Sequence, residues 1–218
     1  MSSDEATARM IQSVSDIFTQ LECHWFVAFG ALLYFIRDKK MGVEFDTDMD
    51  IAVRQDEVSR SDIIGKMYEY GYELQKEVLD NHSRKPLQMV FVPNGMHAGV
   101  LNTSIDVFFW VIGERYAWHT YDTYGKNQPI LDSYTFKGTP KKLITGPTIQ
   151  YVWEEIACPL NFPSKYGSLL DIWYPPTKDA EGKYVQNTGW LYPNRQYGQS
   201  RSAMTKTVQS CKGMGELG

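Results

Sequence analysis

The chain has 218 residues, 43% of them hydrophobic and 22% charged, a balance that suits a soluble globular protein with a sizeable core and excludes a disordered or fibrous one. A formal net charge of −4 gives no general attraction for nucleic acid or anionic membranes, so a polyanionic partner must be met by a local site. No apolar run is long enough for a transmembrane segment, the opening MSSDEATARMIQ lacks a secretory signal, and Cys23, Cys158 and Cys211 form no CxxC pair, which together lead to the expectation of reduced thiols and a cytoplasmic location.

In chain order, residues Ser3 to Leu21 read as a helix, with Ile11, Val14, Phe18 and Leu21 at three- and four-residue intervals and Ser2 and Glu5 spaced as a capping box. HWFVAFG reads as a short buried strand ended by Gly30, and ALLYFIRDKK as a helix whose basic end complements its dipole. Then comes EFDTDMDIAV, in which Asp46, Asp48 and Asp50 alternate ahead of a β-branched run. A strand sends alternate side chains to one face, so this spacing crowds three carboxylates together and calls for a cation. A helix follows from about Glu57 to Tyr70, with Gly71 as its stop.

LQMVFVP and SIDVFFWVI have the β-branched and aromatic content of strands and are expected to pair. Asp106 stands between Ile105 and Val107, an acid within an apolar strand, and is the natural partner for Asp48 and Asp50 from a neighbouring strand. Past a turn-rich stretch, PTIQYVWEEIA is expected to form a helix with Pro147 in its first turn, and SKYGSLLDIW a second helix stopped by Pro175 and Pro176. The tail after Tyr184 reads as loops.

Carboxylates in D-x-D spacing select hard cations, Mg²⁺ above all or Mn²⁺ in its place, when phosphates complete the shell. Gly30 suits either a close approach of backbone to phosphate or a plain strand-to-helix turn. Arg37 suits either a bidentate phosphate contact or a solvated helix end. His24, His82, His97 and His119 share no metal-ligand spacing and read as packing or solvent residues, and the aromatic stretch from Trp173 to Trp190 reads as packing, with an acceptor wall as the alternative.

The order FGALLYFIRDKK, DTDMDI, SIDVFFW and KYGSLLDIWYPP resembles the LicD/fukutin family of phosphotransferases, from about Trp25 to Pro176. The match rests on Gly30, Leu33 and Arg37; on Asp46, Asp48 and Asp50; on Asp106 with Phe108; and on Tyr166, Gly167, Trp173 and Pro175. Tyr34 stands where the family has a second glycine, and Glu44-Phe45 where it has Pro-Trp. The resemblance implies an α/β, nucleotidyltransferase-like mixed sheet flanked by helices, in one domain over residues 1–218: a catalytic core over about 24–125 and a helical, loop-rich acceptor side over about 126–218. It further implies an enzyme with Asp48, Asp50 and Asp106 as catalytic residues, those three with Asp46 as ligands to Mg²⁺, and Gly30 and Arg37 at the donor. The implied reaction moves a phospho-alcohol, such as phosphocholine or an alditol phosphate, from a CDP-linked donor to a glycan hydroxyl. Two rival readings of the same acids are transfer of a nucleoside monophosphate to a small-molecule hydroxyl and a non-catalytic glycan- or nucleotide-binding module.

Overall fold

The computed structural model describes residues 3–38, 48–80, 83–95, 104–119, 139–153, 158–174 and 180–183. Helix α1 (Ser3–Gln20) leads into strand β1 (Trp25–Val27), helix α2 (Phe29–Asp38), strand β2 (Asp48–Arg54), helix α3 (Arg60–Glu69) and strands β3 (Tyr72–Leu79), β4 (Pro86–Pro93) and β5 (Ser104–Ile112). Two short strands, β6 (Tyr116–Trp118) and β7 (Thr139–Pro140), precede helix α4 (Lys141–Ile144), a hairpin of β8 (Thr148–Trp153) and β9 (Cys158–Pro163), and helix α5 (Tyr166–Trp173). The fold is mixed α/β, a curled mixed sheet flanked by helices.

Seven strands share the sheet, in the order β1-β2-β5-β4-β3, with β6 on the far half of β5 and β7 on β6. Every pairing in it is antiparallel except β2 with β5. A parallel pair needs a crossover, which α3, β3 and β4 provide. The expected pairing of LQMVFVP with SIDVFFWVI is present as β4 against β5, with Val90 opposite Asp106.

α1 forms where its apolar spacing places it and buries Ile11, Val14, Ile17 and Phe18, the last with its ring 5.7 Å from Trp25 on β1. Its Ser15 Oγ donates to the Pro159 carbonyl at 2.6 Å, which ties β9 to the same helix. One hydrophobic cluster runs from Met10 in α1 to Tyr174 beyond α5. The proposed Ser2 cap lies outside the described residues, as does the tail after Tyr184.

Two expectations are corrected. Gly30 does not end the strand: β1 stops at Val27, and α2 begins at Phe29, which enters it through a left-handed φ of 39°. PTIQYVWEEIA is not a helix in its described part, where 148–153 form β8, each residue paired with one of β9 from Thr148↔Pro163 to Trp153↔Cys158. Thr148, Ile149, Tyr151 and Val152 are better strand formers than helix formers, and pairing with β9 decides between two patterns that six residues alone leave ambiguous. The described residues after 126 thus include the β8–β9 hairpin beside the short helices α4 and α5.

Among the described residues no helix is long and apolar enough to cross a membrane. Cys23 and Cys158 are free thiols; burial, with Glu57 adding to it, pushes the Cys23 thiol up to about 12.

α3 starts later than expected, capped by Ser59, whose Oγ accepts from the Asp62 N–H at 3.1 Å. It stops at Gly71 as expected, with φ at 85°. Gly65, in the middle of α3, has open space where a Cβ would stand. Gly71→Ala is predicted to lower unfolding stability by about 1–2 kcal/mol, and Gly65→Ala to raise it by about 0.5–1 kcal/mol. Urea denaturation of the two variants reads both, and a common sign would contradict the backbone assignment.

Candidate metal centre

The strand period explains how apolar strands carry acids into the protein. On β2, Met49, Ile51 and Val53 are buried on one face, while Asp48 and Asp50 project to the other. On β5, Ile105, Val107 and Phe109 alternate in the same way with Asp106, Phe108 and Trp110. The parallel register sets Asp50 directly beside Asp106 and Asp48 beside Ser104. The result is three carboxylates, from Asp48, Asp50 and Asp106, with one oxygen of each within 4.8 Å of the others. Asp50 and Asp106 are each only 4% exposed, and Asp48 is half-buried.

Each carboxylate is held differently. Asp50 Oδ2 accepts from the Gly30 N–H at 2.9 Å and, at a longer 3.5 Å, from the Ala31 N–H. Those amides are in the first turn of α2, where backbone donors have no partner within the helix, and Ala28, ahead of the helix, has no side-chain oxygen to cap them. Asp50 caps α2 from another strand, and the helix dipole favours its negative charge. The Ala28 N–H in turn donates to the Asp50 carbonyl at 2.9 Å, which locks the turn to β2.

The Phe29 ring closes this turn, with centroids 4.8 Å from Phe108, 4.5 Å from Trp173 and 4.7 Å from His119. Those contacts hold a residue whose φ is costly for any side chain but glycine.

Asp106 receives the Gln88 Nε2 on Oδ2 at 3.2 Å and the Ser104 Oγ on Oδ1 at 3.3 Å. Asp48 Oδ1 is buried and finds no hydrogen-bond partner among the described residues. Burial, then the neighbouring Asp48 and Asp106 charges, push the Asp50 carboxyl well above the usual carboxylate range, against the opposing pull of the Ala31 and Gly30 amides. Two amides do not neutralise three acids.

The donor set fits a hard divalent cation. All three side chains offer oxygen, Asp48 Oδ1 has no hydrogen-bond partner among the described residues, and a cation among the three would remove the repulsion that raises Asp50. Asp48, Asp50 and Asp106 would be its ligands. Asp46 lies outside the described residues.

The remaining expected residues divide. Gly30 is at the site, but its N–H is directed at Asp50. Arg37 is half-buried, seven residues beyond Gly30 and so about 10 Å farther along the helix axis. Its guanidinium carbon is 5.3 Å from the centroid of the Tyr34 ring, a cation–π distance.

His24 Nε2 is 2.9 Å from the Ile144 carbonyl, and His119 sets its ring 4.4 Å from that of Trp110, so the first is held by a hydrogen bond and the second packs among aromatic rings. His82 and His97 lie outside the described residues. Trp173 and Tyr174 are core residues, each 2% exposed, which leaves no acceptor wall in the described start of that stretch.

Gln88 and Ser104 are the site residues that sequence reasoning passed over. The signal for Ser104 was its place two residues before Asp106, on the same face. For Gln88 it was a lone polar residue in LQMVFVP. No protein-family model matches the chain, and no curated protein is significantly similar to it.

The raised Asp50 carboxyl fixes the sign of a pH effect. Between the unfolded carboxylate range, near pH 4, and its raised folded value, the folded protein holds a proton that the unfolded chain has lost, so stability falls as pH rises through that window. In EDTA at pH 7.5, Asp50→Asn is predicted to melt at or above wild type, by about 2–4 °C for each kcal/mol of repulsion removed. The difference should shrink as pH approaches 4. A fall of several degrees at pH 7.5 would contradict the clustered-charge reading.

Proposed function

We propose that this chain is a Mg²⁺-dependent phosphotransferase that moves a phospho-alcohol, of the phosphocholine or alditol phosphate kind, from a CDP-linked donor onto a glycan hydroxyl. The observation that carries this reading is the convergence of Asp48, Asp50 and Asp106, one oxygen of each within 4.8 Å of the others, on the acid-bearing face of a parallel strand pair. A nucleotidyltransferase-like core is supported by the unit that builds it: strand β1, helix α2 capped by an acid, strand β2 with the D-x-D pair, and a third acid on the parallel neighbour β5. The LicD/fukutin resemblance supplies the donor and acceptor classes.

The chemistry asks little covalent work of the protein. The acceptor oxygen bonds to the distal phosphorus of the donor, the bridging oxygen departs with CMP, and the hydroxyl proton is released. A bound divalent cation supplies charge neutralisation at the phosphate and at the leaving oxygen. Asp48, Asp50 and Asp106 would hold that cation, and the Gly30 amide, by holding Oδ2 of Asp50, would leave Oδ1 for it. The rings of Phe29 and Phe108 are buried against each other, Phe29 next to Gly30 in the chain and Phe108 two residues from Asp106 on the same strand face, which gives that end of the site an apolar wall. Arg37 is assigned to the diphosphate of the donor, because a divalent cation already shared by three carboxylates would offset only part of the donor's negative charge.

The test is incubation with a panel of CDP-alcohols and Mg²⁺, with and without candidate glycans, scored for CMP. CMP release that depends on Mg²⁺ and on acceptor is the expected result, with Asp50→Asn about 100- to 1000-fold slower. Arg37→Lys should weaken the apparent affinity for the CDP-alcohol more than that for the glycan. Pyrophosphate release from a nucleoside triphosphate would establish nucleotidyl transfer instead, and ligand binding that survives EDTA without turnover would establish a binding module.

A further inference from the structure

Beyond the three acids, the same face of the sheet buries a polar side chain that touches one of them. Gln88, on β4, is 6% exposed between Leu87 and Met89, and it stands opposite Phe108 on β5 and Val78 on β3. Its Nε2 donates to Asp106 Oδ2 at 3.2 Å, and its Oε1 is buried with no partner among the described residues. This orientation of the amide follows from chemistry: an ionised carboxylate only accepts, so the nitrogen must face Asp106 and the oxygen must face away from it.

Methionine or leucine would fill the same space among Phe108, Val78 and their neighbours without burying an oxygen that has no donor. Charge narrows the choice further. Glutamate here would add a fourth negative group beside Asp106, and lysine would compete with a cation for the acids, whereas a carboxamide can grip the carboxylate and leave the charge of the cluster unchanged.

We infer that Gln88 is a positioning residue of the metal centre: its Nε2 fixes the plane of the Asp106 carboxylate, one of the three that would hold the cation. Ser104 assists from the other oxygen of Asp106, at 3.3 Å. Groups that orient a ligand in this way typically contribute 10- to 100-fold in metal affinity. The inference rests on the cation-site reading of Asp48, Asp50 and Asp106.

The test is Mn²⁺ binding followed by calorimetry, with the full-length metal-free protein as wild type, Gln88→Met and Asp106→Asn, together with the melting temperature of each in EDTA. Gln88→Met is expected to bind Mn²⁺ about 10- to 100-fold more weakly than wild type while melting without metal at the wild-type temperature or above it. A role in packing alone would lower the melting temperature and leave affinity unmoved. Gln88→Leu, also apolar, serves the same comparison if the methionine variant does not fold. Affinity within twofold of wild type in the Gln88 variant, with Asp106→Asn clearly weakened, would overturn the role of Gln88 and leave the cation site standing. Absence of Mn²⁺ binding by wild type, or equal binding by Asp106→Asn, would overturn both.

Discussion

The parallel pairing of β2 with β5, in the register that sets Asp50 beside Asp106, is the constraint from which the rest of this structure follows. A shift of one residue would turn one of the two acids into the apolar layer on the opposite face and expose Ile51 or Val107 in its place. Burial of those two residues and their neighbours on one face therefore enforces the clustering of charge on the other. Fold stability and charge repulsion oppose each other across a single sheet, a conflict that a cation bound by the three acids would relieve.

The neighbouring elements are arranged around that conflict. α2 begins without a cap of its own and takes one from Asp50, so the stability of the helix and the orientation of the acid are one interaction. The left-handed Phe29 aims the amides of that first turn, and the rings of Phe108 and Trp173 hold Phe29 in place. Trp173 belongs to α5, so the last described helix supports the site through the same aromatic contacts. An acid exposed to water could be moved at little cost; these are fixed from β1, α2, β4 and α5 at once.

How much of this was legible depended on whether the informative pattern was local. The D-x-D strand and the Asp106 strand stood out because a charge amid β-branched residues contradicts its surroundings, and the structure brings their carboxylates together. α1, α2, α3 and α5 were legible from apolar spacing and from stops such as Gly71. β3 was not recognised, since YELQKEVL is rich in residues that favour helices and its strand form depends on pairing with β4. β8 and β9 were missed for the same reason: Pro159 and Pro163 argue against a strand, and only the hairpin partner makes one. Gln88 escaped notice because a neutral amide in an apolar strand conflicts with its surroundings less than an acid does, although its bond to Asp106 places it within the same cluster.

The central claim is that Asp48, Asp50 and Asp106 form one cation site. Its most direct test is a crystal structure of the protein grown with Mn²⁺, with anomalous differences collected at the manganese edge. The account predicts a peak bonded to an oxygen of each of the three carboxylates, with the Asp50 oxygen opposite the one that accepts from Gly30 as a ligand. An Mn²⁺ peak elsewhere, with Asp50 and Asp106 sharing a proton and no ion between them, would contradict it.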